Sequence, residues 1–372
     1  MGQQADRHVY AIIMAGGVGS SLWPLSRKKT PKQFVHFFDG ATMIEKTVAR
    51  ISGTVLAENI FIITGRQYLP LITGHLPSFN RDNIIVEPAS RDTAPCIALA
   101  TAFIRKRDPD AVTIVLPSDH LVFDEDKFQR IIKAGIPLAR SKRCLVTIGI
   151  HPDRPETRYG YIQAQAAVSM DDIMPEDGDI ALFRVRTFAE KPDYSTAVQF
   201  LQSRDFWWNS GIFLWHVETI GSEFRRSMPD LYQDMQTIHA RIGTGQEEEV
   251  IEDVYSWIHP ISVDYGIMEK AERVYMLAGD FGWTDLGCWD EVVTAARAMP
   301  SGQGGEGDTV TLVDSENVFV RKPADKAVVV IGMKDVIVVD TGDALLVCGM
   351  GESQQVRKAV DSMRREGLER FL

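Results

Sequence analysis

AIIMAGGVGSSLWPLSRKKTPKQF, residues 11–34, runs from an apolar strand through a turn of small residues into a basic loop punctuated by proline. Ala15 ends the apolar run, and Gly16, Gly17 and Gly19 follow it. Glycine has no Cβ, so successive backbone amides can close around phosphate oxygens in a turn that other residues enter only at a cost. Arg27, Lys28, Lys29 and Lys32 then place four cations within six positions, close to Pro24 and Pro31, in a chain whose net charge is −11. A reversal of sign this local points to a polyanionic ligand, and the stretch reads as a phosphate site.

Spacing excludes two common phosphate-binding designs. A Walker loop requires GxxxxGK[ST], and Leu22 and Trp23 stand where Lys and Ser or Thr would be needed. A dinucleotide fingerprint requires a third glycine where Leu22 stands, and no acidic ribose ligand follows at a clear strand end about twenty residues on.

Length and composition bound the rest. At 372 residues and 45% hydrophobic, the chain can bury a large core and is expected to hold one big domain and a smaller one. No apolar run approaches the roughly eighteen residues of a membrane span. The start MGQQADRHVY carries no signal-type apolar segment, so a cytoplasmic location and no membrane partner are expected. Cys96, Cys144, Cys288 and Cys348 are scattered without CxxC or CxxH pairing, which argues against zinc and against a disulfide framework. One basic loop in an acidic chain is not the broad basic surface that nucleic acid requires.

Short apolar runs at 10–14, 60–64, 84–87, 112–116 and 145–150 alternate with helical patterns at 43–51, 94–107 and 127–141. That is the α/β pattern of a doubly wound sheet, in which ligands sit at the carboxyl ends of the strands. Gly16 and Gly17 follow the first run, Glu87 ends the third, and Asp119 follows the fourth. AMPSGQGGEGD at 298–308 reads as a flexible link. Beyond it come Val-rich strands at 310–313, 318–320, 327–331, 336–339 and 344–347, then a polar helix at 352–367, the pattern of a small β-helix. The domains expected are 1–298 and 309–372. The tail is expected to pack on the larger domain or on a second subunit, the latter giving a homodimer.

GGxGxxLWPLSR followed by PKQF resembles the signature of the sugar-1-phosphate nucleotidyltransferases, and its Trp-Pro-Leu-Ser and Pro-Lys-Gln-Phe pieces resemble the mannose-1-phosphate guanylyltransferase branch. The likeness extends over roughly residues 9–347. It implies a Rossmann-like, doubly wound mixed sheet with a small C-terminal β-helix-like domain. It also implies Mg²⁺-dependent conversion of GTP and α-D-mannose 1-phosphate to GDP-mannose and pyrophosphate. Such a transfer needs a cradle for the triphosphate, a divalent metal and a clamp for the sugar phosphate, with fixed positive charge rather than a protein nucleophile.

Each part has candidates. Lys32 and Arg27 would brace the triphosphate. Asp119, in LPSDH after a strand, can reach a metal held by phosphate oxygens, although a helix N-cap is an alternative for it. The family pairs this aspartate with that of WxDxG, here Asp285. Asp264 in SVDYGIMEK is the second choice for the metal, and His120 is read as structural. EPASRDTAP at 87–95 corresponds to the element that meets the purine, through Glu87, Arg91, Asp92, Thr93 and Pro95, although Arg91 on general grounds more often pairs with an acidic neighbour. The sugar-phosphate positions match Tyr159, Gly160, Glu190, Lys191 and Asn209, with Asp264 grouped among them. Asn209 and Ser210 are expected at a turn between aromatic runs.

Three residues depart from the family pattern. Ser21 replaces an arginine beside the triphosphate, a loss of about 2–4 kcal/mol of transition-state stabilisation if nothing compensates. Asp92 replaces an Asn, and only Asn can donate as well as accept a hydrogen bond. Arg158 stands where a Gly commonly precedes Tyr-Gly-Tyr, and is a candidate to restore the missing charge. The longer, two-activity members carry a cupin-like isomerase domain beyond this length, so isomerase activity is not expected.

Overall fold

The computed structural model describes residues 6–17, 19–38, 40–168, 180–299 and 309–372. The expected link falls largely in 300–308, outside the described residues. Among those described, the chain forms two compact units. The first comprises Met1–Gly16, Thr47–Ser118 and Val122–Trp283, and the second Gly17–Lys46, Asp119–Leu121 and Thr284–Leu372. Grouped by contact, the basic loop therefore belongs with the C-terminal segment, whereas the sequence division at 298 follows the link.

The first unit is organised by a nine-stranded mixed sheet. Its strands are β1 (Val9–Met14), β2 (Ile60–Gly65), β3 (Ile84–Glu87), β4 (Val112–Pro117), β5 (Leu145–Ile150), β6 (Tyr161–Val168), β7 (Leu182–Ala189), β8 (Phe206–His216) and β9 (Val274–Gly279). They lie in the order β3-β2-β1-β4-β8-β5-β9-β7-β6. β1 to β4 are mutually parallel where they pair, so their carboxyl ends share one edge of the sheet. β1, β2, β4 and β5 read as near-continuous apolar runs because both faces are covered, as parallel strands require. Tyr10, Ile12, Phe213 and Trp215 share a core with the helices Thr93–Arg107, Val217–Ser227 and Pro229–Arg241. On the other face the helix Glu125–Lys142 comes close at Gly135, where a Cβ would stand 3.0 Å from Leu214.

The strands and helices expected between residues 10 and 150 are present with ends shifted by at most two residues. FWWNSGIFLWH differs from expectation. Asn209 and Ser210 do not sit at a turn: the whole stretch is β8, antiparallel to both β4 and β5. The turn-like NSG is a bulge, with Gly211 at φ 69° and a register shift opposite Thr147 and Gly149. Ser210 Oγ donates to the carbonyl of Ile148 at 2.7 Å, which satisfies the hydroxyl inside the sheet.

In the second unit, β10 (Val310–Val313) pairs in parallel with β12 (Val328–Ile331), and β11 (Glu316–Arg321) with β13 (Lys334–Asp340). Each residue meets the one eighteen positions on, as Val310 meets Val328 and Glu316 meets Lys334, so the segment is a coil of β-helix. β14 (Leu345–Gly349) closes it by pairing antiparallel to β13. Strand alternation gives the coil two apolar faces. Val318, Val320, Val336 and Val338 fill its interior with Val330. Phe319, Ile337 and Val339 turn the other way, into a core with Leu22, Trp23, Trp289, Val356 and Val360.

That second core ties the basic loop to the coil. Trp23 Nε1 donates to the carbonyl of Phe371 at 2.8 Å, Trp289 Nε1 donates to that of Trp23 at 2.9 Å, and Arg321 donates to the carbonyls of His36 and Phe37. The helix at the chain end is Val356–Arg365, preceded by a short 3-10 turn.

Candidate active site

Within the second unit, the basic loop is built around Lys32. Gly19 has φ 70°, and a Cβ there would stand 2.5 Å from Lys32 Cβ, so glycine is required both by conformation and by the close approach. Lys32 opens a short 3-10 turn and is only 5% exposed. Its ammonium lies 2.8 Å from Asp119 Oδ2 and donates to the main-chain carbonyl of Asp285. Burial alone would raise the Asp119 carboxyl, but Lys32 and His120 outweigh it and hold the group below its ordinary range. Asp119 caps no helix, since the next one is capped by Asp124.

Asp285 meets Lys32 through its backbone rather than its carboxylate, and its turn is held from both sides. Thr284 Oγ1 accepts from Leu286 N at 3.1 Å, and Glu291 Oε2 accepts from Gly287 N at 2.6 Å. Sequence reading missed Thr284 and Glu291. The available signal was an acidic residue in the first turn of the helix Trp289–Ala298, a position from which a side chain reaches back to amides preceding the helix.

Arg27, expected at the triphosphate, faces the coil instead. Its Nη1 and Nη2 form a two-point pair with Asp343 at 2.6 and 2.7 Å, Nη2 also reaches Thr341 Oγ1, and Nε reaches the carbonyl of Pro24. A planar fork matched to a carboxylate in this way is a structural clamp. Pairing with Arg27 accordingly holds the Asp343 carboxyl far below its ordinary range.

In the first unit, the carboxyl ends of β1 and β3 bring Gly16 beside Glu87: a Cβ on Gly16 would be 3.9 Å from Glu87 Oε2. Ala15 N donates to Ile63 O, and Thr64 Oγ1 donates to Ala15 O, each at 2.8 Å, which fixes where the glycine turn begins. Glu87 is 5% exposed and accepts from Tyr255 Oη at 3.0 Å. Burial pushes its pKa up to about 7, against the opposing hydrogen bonds from Tyr255 and Cys96. Tyr255 is a further residue that sequence reading missed.

The rest of the 87–95 turn is engaged with the protein. Arg91 Nε and Nη2 donate to the carbonyl of Tyr255 at 3.1 and 2.9 Å, not to an acidic neighbour. Asp92, at φ 68°, caps the helix Thr93–Arg107 by accepting from Thr93 N at 2.7 Å. A cap of this kind needs only an acceptor, so Asp serves there as well as Asn. Thr93 Oγ1 accepts from Val263 N at 2.8 Å, and the Pro95 carbonyl accepts from Tyr255 Oη at 3.3 Å.

A second group of expected residues converges around β8. Asn209 Oδ1 accepts from Gly211 N at 3.2 Å and Thr147 Oγ1 at 3.4 Å, which orients its Nδ2 to donate to Asp264 Oδ1 at 2.7 Å. Burial and the neighbouring Glu190 raise the Asp264 pKa to about 6, while Asn209 and Lys191 oppose them. Lys191, at φ 48°, pairs with Glu190 Oε1 at 2.6 Å. Glu190 Oε2 lies over Gly160, in the space a Cβ there would take, so a larger residue would displace the Glu190 carboxylate. Tyr159 is locked in aromatic packing, edge-on to Trp208 and Trp283 with centroids 5.2 Å away in each case.

Arg158, the candidate to replace the charge missing at Ser21, pairs instead with buried Glu156, through Nε at 2.9 Å and Nη2 at 2.8 Å. Removing that carboxylate from water without a partner would cost several kcal/mol, and Arg158 with Arg154 supplies the compensation.

The buried Glu87 makes a pH-dependent prediction. Its carboxyl binds its proton more tightly folded than unfolded, so as pH rises from about 4.5 through 7 the unfolded state loses the proton first and stability falls. Glu87→Gln should therefore stabilise the protein by about 2 kcal/mol more at pH 8 than at pH 5. Urea unfolding of both proteins at the two pH values measures this, and an advantage independent of pH would show that Glu87 does not titrate in that range.

Two family models match the chain. One, described as nucleotidyl transferase, spans residues 10–302, and the other, a mannose-phosphate isomerase/GMP-like β-helix domain, spans 308–363. Mannose-1-phosphate guanylyltransferase of Escherichia coli K12 is 33% identical over 98% of this chain and 75% of its own length. The enzyme ManC of Salmonella typhimurium LT2, of the same name, is 34% identical over 96% of this chain and 74% of its own. Among solved structures, one described as mannose-1-phosphate geranyltransferase from Thermus thermophilus superposes with a TM-score of 0.83 at 29% identity, covering 96% of this chain and 99% of that one. No helix among the described residues is long and apolar enough to cross a membrane. The glycine turn, the LPSDH and WTDLG segments and the C-terminal coil thus lie inside matched regions, and the chain belongs to the nucleotidyl transferase family, with curated mannose-1-phosphate guanylyltransferases among its relatives.

Proposed function

We propose that the protein converts GTP and α-D-mannose 1-phosphate to GDP-mannose and pyrophosphate. The observation that carries this reading is the buried Lys32 ammonium held between the Asp119 carboxylate and the Asp285 carbonyl, on the loop that follows the glycine turn. An already ionised oxygen of the sugar phosphate forms the new bond to the α-phosphorus. The bond from that phosphorus to the bridging oxygen breaks, and its electron pair leaves with pyrophosphate. No protein nucleophile and no proton transfer is required, so the chain's task is orientation and charge stabilisation.

In this reading Lys32 exchanges Asp119 for phosphate oxygens when the triphosphate arrives, which frees the Asp119 carboxylate. The donor set around Lys32 fits Mg²⁺: both donors are hard oxygens, they already surround a cation, and Mg²⁺ takes one or two carboxylates alongside substrate phosphates. Asp119 and Asp285 would hold it, and the ion would neutralise charge developing on the phosphates. Glu87 offers an acceptor for purine N–H groups beside Gly16. Asn209, Asp264 and Glu190 offer partners for sugar hydroxyls, and Lys191 a point charge for the sugar phosphate. The reading places the reaction in the cytoplasm with GTP and mannose 1-phosphate as its partners, and it calls for no nucleic acid or membrane.

The test is pyrophosphate release with Mg²⁺ from mannose 1-phosphate or glucose 1-phosphate, paired with each nucleoside triphosphate in turn. Release with GTP and mannose 1-phosphate alone is the expected result. Release with another pair would reassign the substrates, and none from any pair, with nucleotide still bound, would identify a regulatory or inactive nucleotide-binding homologue.

A further inference from the structure

The two sets of residues assigned above to nucleotide and to sugar are joined by one stretch of chain. After the helix Glu247–Trp257, residues 258–263 run along the 87–95 turn and end at Asp264. Backbone bonds zip the two together: Ile261 N donates to Arg91 O at 3.3 Å, and Ala94 N to Ile261 O at 3.1 Å. Side chains of the turn fasten both ends. Arg91 holds the Tyr255 carbonyl at the start, and Thr93 Oγ1 accepts from Val263 N at the end, one residue before Asp264. Tyr255 Oη returns to Glu87 and the Pro95 carbonyl. Asp264 then opens a π-turn, Asp264–Met268, a rare geometry that is frequent at functional sites, and receives Asn209 Nδ2.

We infer that Arg91 and Thr93 are positioning residues for the sugar end of the site: they fix Asp264 against Asn209 through this strap rather than touching the base. The inference rests on the functional reading above and deepens it. The hydroxyl of Thr93 is directed at a backbone amide of the strap, and two nitrogens of Arg91 are directed at a carbonyl at the end of a helix. These are groups that a ligand on the other side of the turn would have to compete for. An amide left without its acceptor loses roughly the equivalent of a tenfold change in an equilibrium constant, and here that loss falls on the residue adjoining Asp264. Glu87 on the nucleotide side and Asp264 on the sugar side are joined through these bonds, so nucleotide and sugar phosphate are expected to bind with positive coupling.

Calorimetric titration of the full chain in Mg²⁺-free buffer containing EDTA, with GTP and with mannose 1-phosphate, each alone and with the other present, tests this with turnover suppressed. Thr93→Ala is expected to weaken mannose 1-phosphate about tenfold, to leave GTP within twofold, and to reduce the coupling between them. Thr93→Ser, which keeps the acceptor, should restore wild-type values. Arg91→Met, at the other end of the strap, should reproduce the sugar-side loss and keeps the test open if Thr93→Ala folds poorly. A loss confined to GTP would make Thr93 a base ligand and overturn the inference, as would sugar binding unchanged in both variants. Failure of the wild-type protein itself to bind mannose 1-phosphate would instead overturn the functional reading, and with it the assignment of Asp264 to a sugar.

Discussion

Lys32→Ala should slow pyrophosphate release by roughly 10²–10³-fold while leaving the protein folded. Removing one preorganised donor from a reacting centre typically costs about 3–4 kcal/mol of transition-state stabilisation. The cost should fall at the upper end here, because the arginine that the family places nearby is Ser21 in this chain, Arg27 is clamped to Asp343, and Arg158 to Glu156. Gly19 and the 3-10 turn that carries Lys32 do not depend on its charge, so the loop should keep its course. Steady-state rates at saturating substrate, with circular dichroism as the control, decide the point. A variant with wild-type turnover would remove Lys32 from the chemistry.

Asp119→Asn should do comparable damage by a different route. The carboxylate is held ionised by Lys32, and the amide keeps its shape and an acceptor oxygen but loses its charge. Turnover should fall by about 10²–10³-fold, and the Mg²⁺ concentration for half-maximal rate should rise at least tenfold, whereas Lys32→Ala should leave that concentration nearly unchanged. Because the carboxyl sits below its ordinary range, it loses charge only at acid pH, so between pH 6 and 8 it should contribute no pH dependence. Rate measured against Mg²⁺ for the two variants separates the roles. A wild-type Mg²⁺ profile in Asp119→Asn would place the metal elsewhere.

Much of this protein is written locally. The apolar runs of β1 to β5 are short and rich in Val and Ile and the helical patterns between them are longer, and length with composition distinguishes strand from helix within a few residues. Gly19 is legible for the same reason, since its left-handed φ is a property of one residue. The Glu156–Arg158 pair is legible in principle, its members being two positions apart, but the family pattern draws the eye to a missing arginine elsewhere.

Partners of long, charged side chains follow another rule. Arg27 and Lys32 lie in one basic cluster, and nothing in their neighbourhood separates them. One turns to Asp343 and Thr341, more than three hundred residues away, and the other to Asp119 and the Asp285 carbonyl. Asp264 draws its raised pKa from burial beside Glu190, and Thr93 takes its role from an amide at 263. NSG reads as a turn by composition and becomes a bulge because β4 and β5 lie on either side of it. Backbone preference acts over a handful of residues, so most strands of the sheet, the coil and the glycine turn follow from the amino-acid order, and tertiary context overrides it only where neighbouring strands impose pairing, as at NSG. A charged side chain takes whichever partner is carried to within about 3 Å by distant segments, and that choice is made only when the chain has folded.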